Sequence, residues 1–298
     1  MSYSKENKGL LNKEQGGKAF SIMIAIYVLL SFVVQGILLA FVNENSFTYI
    51  AVCSCLSSTS IFLAFLYQNK CDKCTYKAMN IKKCQISSIF LALLLSAGMF
   101  LGLGFINIAL IDLLQKVGIT ISSPNIPLNN LGQFIFFSLT LSILPAIFEE
   151  LFFRGLFLNS LSEQSVLSKT LTVGLFFALY HCNLGQFIYQ FIYGSALCLL
   201  TIYAKSIIPA MTTHFLNNFV VLLFTYLNIQ INLFSPILIA VGLVCLSLFL
   251  IAIILRLKKN NYSNHAEQNN KGIKEVFIPY GILGVIICSV MLISALFM

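Results

Sequence analysis

The chain has 298 residues, of which 58% are hydrophobic and only 9% charged. A water-soluble domain of this composition would lack polar cover for its surface, so that class is excluded. The formal net charge is +8, and where the basic residues fall makes it a topology signal with attraction to anionic headgroups, not a nucleic-acid footprint.

Apolar runs recur in chain order over about 19–42, 47–67, 88–114, 131–158, 166–182, 186–203, 207–226, 233–255 and 277–298. Runs of about 20 apolar residues cross roughly 30 Å of hydrocarbon. The expected fold is therefore all-α, a polytopic transmembrane bundle of eight or nine spans. The fifth and sixth runs are short, and the ninth reads as a span or as an accessory helix outside the main bundle. Around these runs the sequence divides into an N-terminal arm (1–18), a membrane domain (19–255), a polar, Asn-rich linker (256–276) and a C-terminal helix (277–298). The first run follows a basic arm, is longer than a signal-peptide core and has no small-residue cleavage site, so it reads as a retained anchor.

Charge orients these spans. Apart from Arg154, inside a span, and Lys116, all 18 basic residues fall in the arm or in even-numbered connections. The positive-inside rule then puts the N-terminus in the cytoplasm. The nine cysteines mostly lie in or beside spans, where Cys acts as a small apolar residue. Cys71, Cys74 and Cys84 share one connection, but they supply three thiolates where a structural zinc site takes four ligands. A solvated loop is the better reading. His265 in the linker reads as a solvent-exposed bystander, Asp112 as a solvated or capping residue at the outer end of the third span, and Ser122 to Pro127 as a turn-rich external loop.

The remaining ionisable groups do not belong in hydrocarbon without a use, since each costs roughly 2.5–3.5 kcal/mol at a helix centre on insertion scales. In Glu149-Glu150-Leu151-Phe152-Phe153-Arg154, Glu150 and Arg154 are four apart on one helix face, acid before base. Pairing spares both groups an unpaired burial. Glu149 points about 100° away round the helix and lacks that partner, which suits a general base. Pro145 removes a backbone bond one turn earlier and kinks the helix toward a cavity. The plainer reading is a buried ion pair with a spare acid. Phe177 and His181 share a face of the fifth span, where the ring can wall a site and restrict the imidazole; alone, His181 reads as an interface residue. His214 and Asn218 share a face of the seventh span and can donate to one small target such as an oxyanion. Their plainer reading is an interhelical polar clasp.

Glu-Glu-x-x-x-Arg, Phe-x-x-x-His and His-x-x-x-Asn, in this order on three separate spans, resemble the CPBP family. That family comprises CAAX prenyl endopeptidases and bacterial bacteriocin-processing or Abi-like membrane proteins. The resemblance covers about residues 131–225, with Phe153-Arg154-Gly155 and Ile208-Pro209-Ala210 included. It implies an intramembrane endopeptidase acting on membrane-associated or lipid-bearing peptides, in the plasma membrane of a bacterium. Glu149 then looks like the base that activates water, with His181 assisting. His214 and Asn218 look like oxyanion stabilisers, and Glu150, Arg154 and Phe177 like supports. Glu149, His181 and His214 also match the donor set of a catalytic zinc site, but the chain lacks His-Glu-x-x-His, and a metal-free glutamate–water mechanism with no cofactor is preferred.

Two rivals remain: an idle immunity or scaffold protein of the same family, and a proton-coupled transporter using the Glu/His cluster as a relay. Complete motifs oppose the first, and the absence of repeat symmetry opposes the second. The substrate, the oligomeric state and the side of access are not legible. Ruler arithmetic at about 1.5 Å per residue puts His214 about 10 Å from the cytoplasmic end of its span and His181 near the outer end of the fifth. Convergence therefore requires the fifth span to be short, tilted or set deep.

Overall fold

The computed structural model describes residues 11–72, 79, 81–121, 125–259, 274–277 and 280–294. Lys5 and Lys8 of the arm, Cys74, Ser122 to Pro124, and most of the linker with His265 lie outside the described residues.

Within them the secondary structure is helical and contains no strand. The helices are α1 (Lys13–Leu39), α2 (Phe47–Ser54), α3 (Leu56–Asp72), α4 (Ile86–Ala97), α5 (Phe105–Lys116), α6 (Leu131–Ser138), α7 (Leu144–Glu150), α8 (Leu158–Ser160), α9 (Val166–Tyr180), α10 (Phe187–Ala204), α11 (Ile208–Tyr226), α12 (Pro236–Lys259), α13 (Lys274–Phe277) and α14 (Gly281–Ser294). Their starts are written locally. Asn12 and Gln15 form a reciprocal capping box ahead of α1, and Asn130 and Ser165 accept from the backbone N–H groups of Gln133 and Ser168.

Three π-helical segments join successive helices: Gly98–Leu103 leads from α4 through a turn at Gly104 to α5, and Leu139–Ile143 between α6 and α7 and Leu151–Phe157 between α7 and α8 do so without a break. In the last two, the N–H groups of Leu144 and Leu158 reach carbonyls five residues back, at Leu139 and Phe153. So joined, seven helical stretches are long and apolar enough to cross a membrane: Lys13–Leu39, Phe47–Cys71, Ile86–Lys116, Leu131–Ser160, Leu184–Ala204, Ile208–Tyr226 and Pro236–Lys258. Two further apolar helices, Val166–Tyr180 and Gly281–Ser294, are shorter. The protein is thus a polytopic helical membrane bundle. Side chains such as Phe32, Ile86 and Ile237, 81%, 85% and 75% exposed, face outward as lipid contact requires.

The helix ends sort into two faces. Lys13 pairs with Glu163 at 3.2 Å, and the Ser206 hydroxyl donates to the Lys82 carbonyl. These contacts gather the arm and the second, fourth and sixth connections, which carry the basic residues, at one face. At the other, the Phe134 and Tyr226 rings stack at 4.6 Å and the Phe105 and Phe234 rings meet at 6.2 Å.

The ninth hydrophobic element differs from the accessory reading. It packs on α1: the Ser21 hydroxyl donates to the Tyr280 carbonyl and accepts the Gly284 N–H at 2.9 Å. Val276 and Cys288 lie in the main core, and the Phe277 ring reaches Phe176 at 5.4 Å. The reason is steric. A Cβ on Gly284 would sit 2.8 Å from Phe20 Cδ1, so only small residues let these helices approach so closely.

Candidate active site

α7 carries Glu149 and Glu150 between two π segments, and Pro145 sits in its first turn. Proline has no N–H to offer the Leu141 carbonyl one turn earlier. That carbonyl accepts Asn218 Nδ2 at 3.1 Å, so a backbone group freed by one span is satisfied by a side chain from α11.

Glu150 is the hub. Its Oε1 accepts from Arg154 Nη1 at 2.9 Å and from His214 Nδ1 at 2.8 Å. Glu150 and Arg154 are completely buried. The guanidinium also donates through Nη2 to the Gly194 carbonyl at 3.1 Å and lies 4.4 Å over the Phe177 ring. Because a carboxylate paired with Arg accepts only, His214 carries its proton on Nδ1 and turns Nε2 outward. That Nε2 lies 3.9 Å from Glu149 Oε2. Glu149 Oε2 makes no hydrogen bond among the described residues, and the side chain is buried.

Phe177 ties in the fifth span. Its ring lies 4.6 Å from that of His181 and 6.0 Å from that of His214. Its carbonyl accepts His181 Nδ1–H at 2.7 Å, which fixes Nε2 as the free nitrogen. The convergence problem is resolved by length. α9 has 15 residues, about 22 Å at 1.5 Å per residue, so His181, which caps it, lies deep in the bundle.

Glu149, Glu150, Arg154, Phe177, His181 and His214 are therefore brought together. Asn218 turns instead to Leu141 and to Asn217, whose Nδ2 lies 3.5 Å from its Oδ1. Asp112 is exposed on α5. Among the described residues, no group of three or more His, Cys, Asp or Glu side chains is placed to hold a metal ion.

Sequence reasoning missed two contributors on α10. Tyr193 is 1% exposed, stands edge-on to His214 at 6.0 Å and stacks on Tyr189 at 5.8 Å. The Tyr189-x-x-x-Tyr193 spacing was a legible signal of the same kind as the other pairs. Gly194 acts through its carbonyl, which leaves no side-chain signature. A Cβ there would lie 2.9–3.1 Å from Phe177. Gly194→Val is accordingly expected to lower stability by about 1–3 kcal/mol through overpacking and to push Phe177 off Arg154. An unchanged thermal unfolding midpoint in detergent would contradict this crossing.

A charged, hydrogen-bonded cluster buried in a bundle of membrane-length helices defines an integral membrane protein with a polar centre of the kind that performs chemistry. Residues 131–220 match the sequence model of the Rce1-like family, described as type II CAAX prenyl endopeptidase, and this is the segment whose three motifs resemble the CPBP family. No curated protein and no solved structure matches the chain. The matched segment contains each of the seven site residues and both contributors from α10.

Proposed function

We propose that the protein is an intramembrane endopeptidase that hydrolyses peptide bonds of membrane-associated or lipid-bearing substrates with a water activated by Glu149. The observation that carries this reading is the asymmetry of the paired carboxylates. Glu150 Oε1 accepts from both Arg154 and His214, whereas Glu149 is buried, its Oε2 accepts no hydrogen bond among the described residues, and that atom lies 3.9 Å from the free nitrogen of the histidine that Glu150 anchors.

Glu149 takes a proton from water as the oxygen attacks the scissile carbonyl carbon. His181 Nε2 accepts the other water hydrogen and orients the nucleophile. The carbonyl oxygen gains the charge and meets His214 Nε2–H, when that ring is protonated, and the second amide hydrogen of Asn218. One such donor is worth about 2.7–4 kcal/mol at the transition state. As the C–N bond breaks, the proton on Glu149 passes to the leaving amine. Every donor in this scheme comes from the chain, and no metal is required.

The basic connections at one face support an N-terminus in the cytoplasm, and the resemblance to bacteriocin-processing proteins supports a bacterial plasma membrane. The test uses purified protein in lipid nanodiscs, incubated with membrane-derived peptides whose new termini are identified by mass spectrometry. New termini are expected with the native chain and not with Glu149→Ala; identical products from both would overturn the base assignment. Activity should persist within about twofold after chelation, on the rule that only a lost catalytic group costs orders of magnitude. Activity lost to the chelator and restored by zinc would overturn the metal-free mechanism.

A further inference from the structure

A cavity of about 430 Å³ begins at Asn217, Asn218 and Leu141 and runs along α11 to Thr225. Three features define what it accepts. None of its lining residues is charged, so an ion buried there would have no counter-charge. The polar lining is dominated by carboxamides from three spans: Asn107 on α5, Gln190 on α10, and Asn217 with Asn218 on α11. Among the described residues, Asn107 Oδ1 and Gln190 Oε1 are buried with no hydrogen-bond partner, an arrangement that costs free energy until a donor arrives. A carboxamide pairs one acceptor and one donor in the plane that a peptide group uses, so opposed amides are matched to polypeptide backbone.

Direction is set by the fold. α11 starts beside Lys205 at the basic face, and the cavity extends from Asn218 away from that end. Ile126 and Leu233, in connections at the opposite face, close its sides. Tyr189 links cavity and catalytic cluster: its hydroxyl donates to Asn217 at 2.9 Å and its ring stacks on Tyr193.

We propose that this cavity seats an uncharged stretch of extended polypeptide next to the scissile bond, held by main-chain hydrogen bonds to Asn107 and Gln190 and entering from the face opposite the basic connections. This rests on the endopeptidase reading and adds the substrate class and the side of approach. The side chains of the bound segment meet Phe100, Val221 and Leu222, so small and apolar residues fit and charged ones are rejected.

The test separates binding from hydrolysis. Fluorescein-labelled decapeptides of Ala, Ser, Gln and Leu, and matched peptides with one central Lys or Asp, are titrated by anisotropy against the Glu149→Gln protein in nanodiscs. The neutral peptide is expected to bind at least tenfold more tightly than either charged one. Adding Asn107→Leu or Gln190→Leu to that protein should weaken neutral-peptide binding at least fivefold, and adding Gln190→Lys should shift preference toward the Asp peptide. Equal binding of the three peptides, or no effect of the Leu substitutions in protein with an unchanged unfolding midpoint, would overturn the proposal. With impermeant peptide and sealed vesicles of each orientation, binding only at the basic face would overturn the direction of entry. Hydrolysis by the otherwise native chain is assayed separately. Binding without hydrolysis would therefore sink the endopeptidase reading and leave the cavity assignment standing, and hydrolysis that ignores these substitutions would do the reverse.

Discussion

Glu149→Gln is expected to slow peptide hydrolysis by about 10²–10⁴-fold, the range for loss of a positioned general base, with the fold and substrate affinity retained. The substitution keeps the shape of the side chain and removes only its ability to take a proton. It disturbs no short ion pair, because the nearest charged partner of Glu149 is His214 Nε2 at 3.9 Å, and the anchor of that ring is Glu150 at 2.8 Å. The loss should therefore fall on kcat rather than on KM, which marks a group acting in the transition state. Glu150→Gln should behave differently. It weakens the hold on both Arg154 and His214, so it should lower the thermal midpoint as well as the rate. If Glu149→Gln retains more than about a tenth of the native rate, too little for loss of a general base, water is activated elsewhere in the cluster. If Glu150→Gln proves the more damaging to kcat with no loss of stability, the roles of the two carboxylates are exchanged.

That division of labour was half legible in the sequence. The Glu150–Arg154 contact is a local event on one stretch of helix, and four-residue spacing is enough to read it. The Glu150–His214 bond joins residues 64 apart, so spacing holds no trace of it, and the sequence marks His214 as a donor without marking its anchor. Apolar runs marked the spans well because the length of hydrocarbon to be crossed sets the length of the run. Their internal geometry was hidden. Pro145 signalled a disturbed helix, yet a π segment on each side of α7 is a matter of one residue's register, which hydrophobicity does not record. The ninth element was equally apolar whether or not it joined the core. What decided its place was the small surface of Gly17, Ser21, Gly281 and Gly284, a packing fact and not a hydropathy fact.

Arg154→Met should be the most destabilising single change in the cluster, at about 3–5 kcal/mol, the cost of removing one partner of a buried ion pair. Arg154 and Glu150 are both inaccessible to solvent. Without the guanidinium, the buried Glu150 carboxyl has only His214 to pair with, and the Gly194 carbonyl loses the donor seen at 3.1 Å. The Phe177 face, covered at 4.4 Å by the guanidinium, would lose its cation as well. At roughly 2–4 °C per kcal/mol for a domain of 150–250 residues, the thermal midpoint should fall on the order of 10 °C. Arg154→Lys keeps the charge but not the planar fork that reaches Glu150 and Gly194 together, so it should fall between the native chain and Arg154→Met. The double variant Glu150→Gln with Arg154→Met settles the cause. Removing both charges leaves no uncompensated ion, so it should recover part of the stability that Arg154→Met loses, although His214 is then held less firmly and hydrolysis stays low. A double variant no more stable than Arg154→Met alone would mean that packing over Phe177, and not the buried charge of Glu150, is what Arg154 secures.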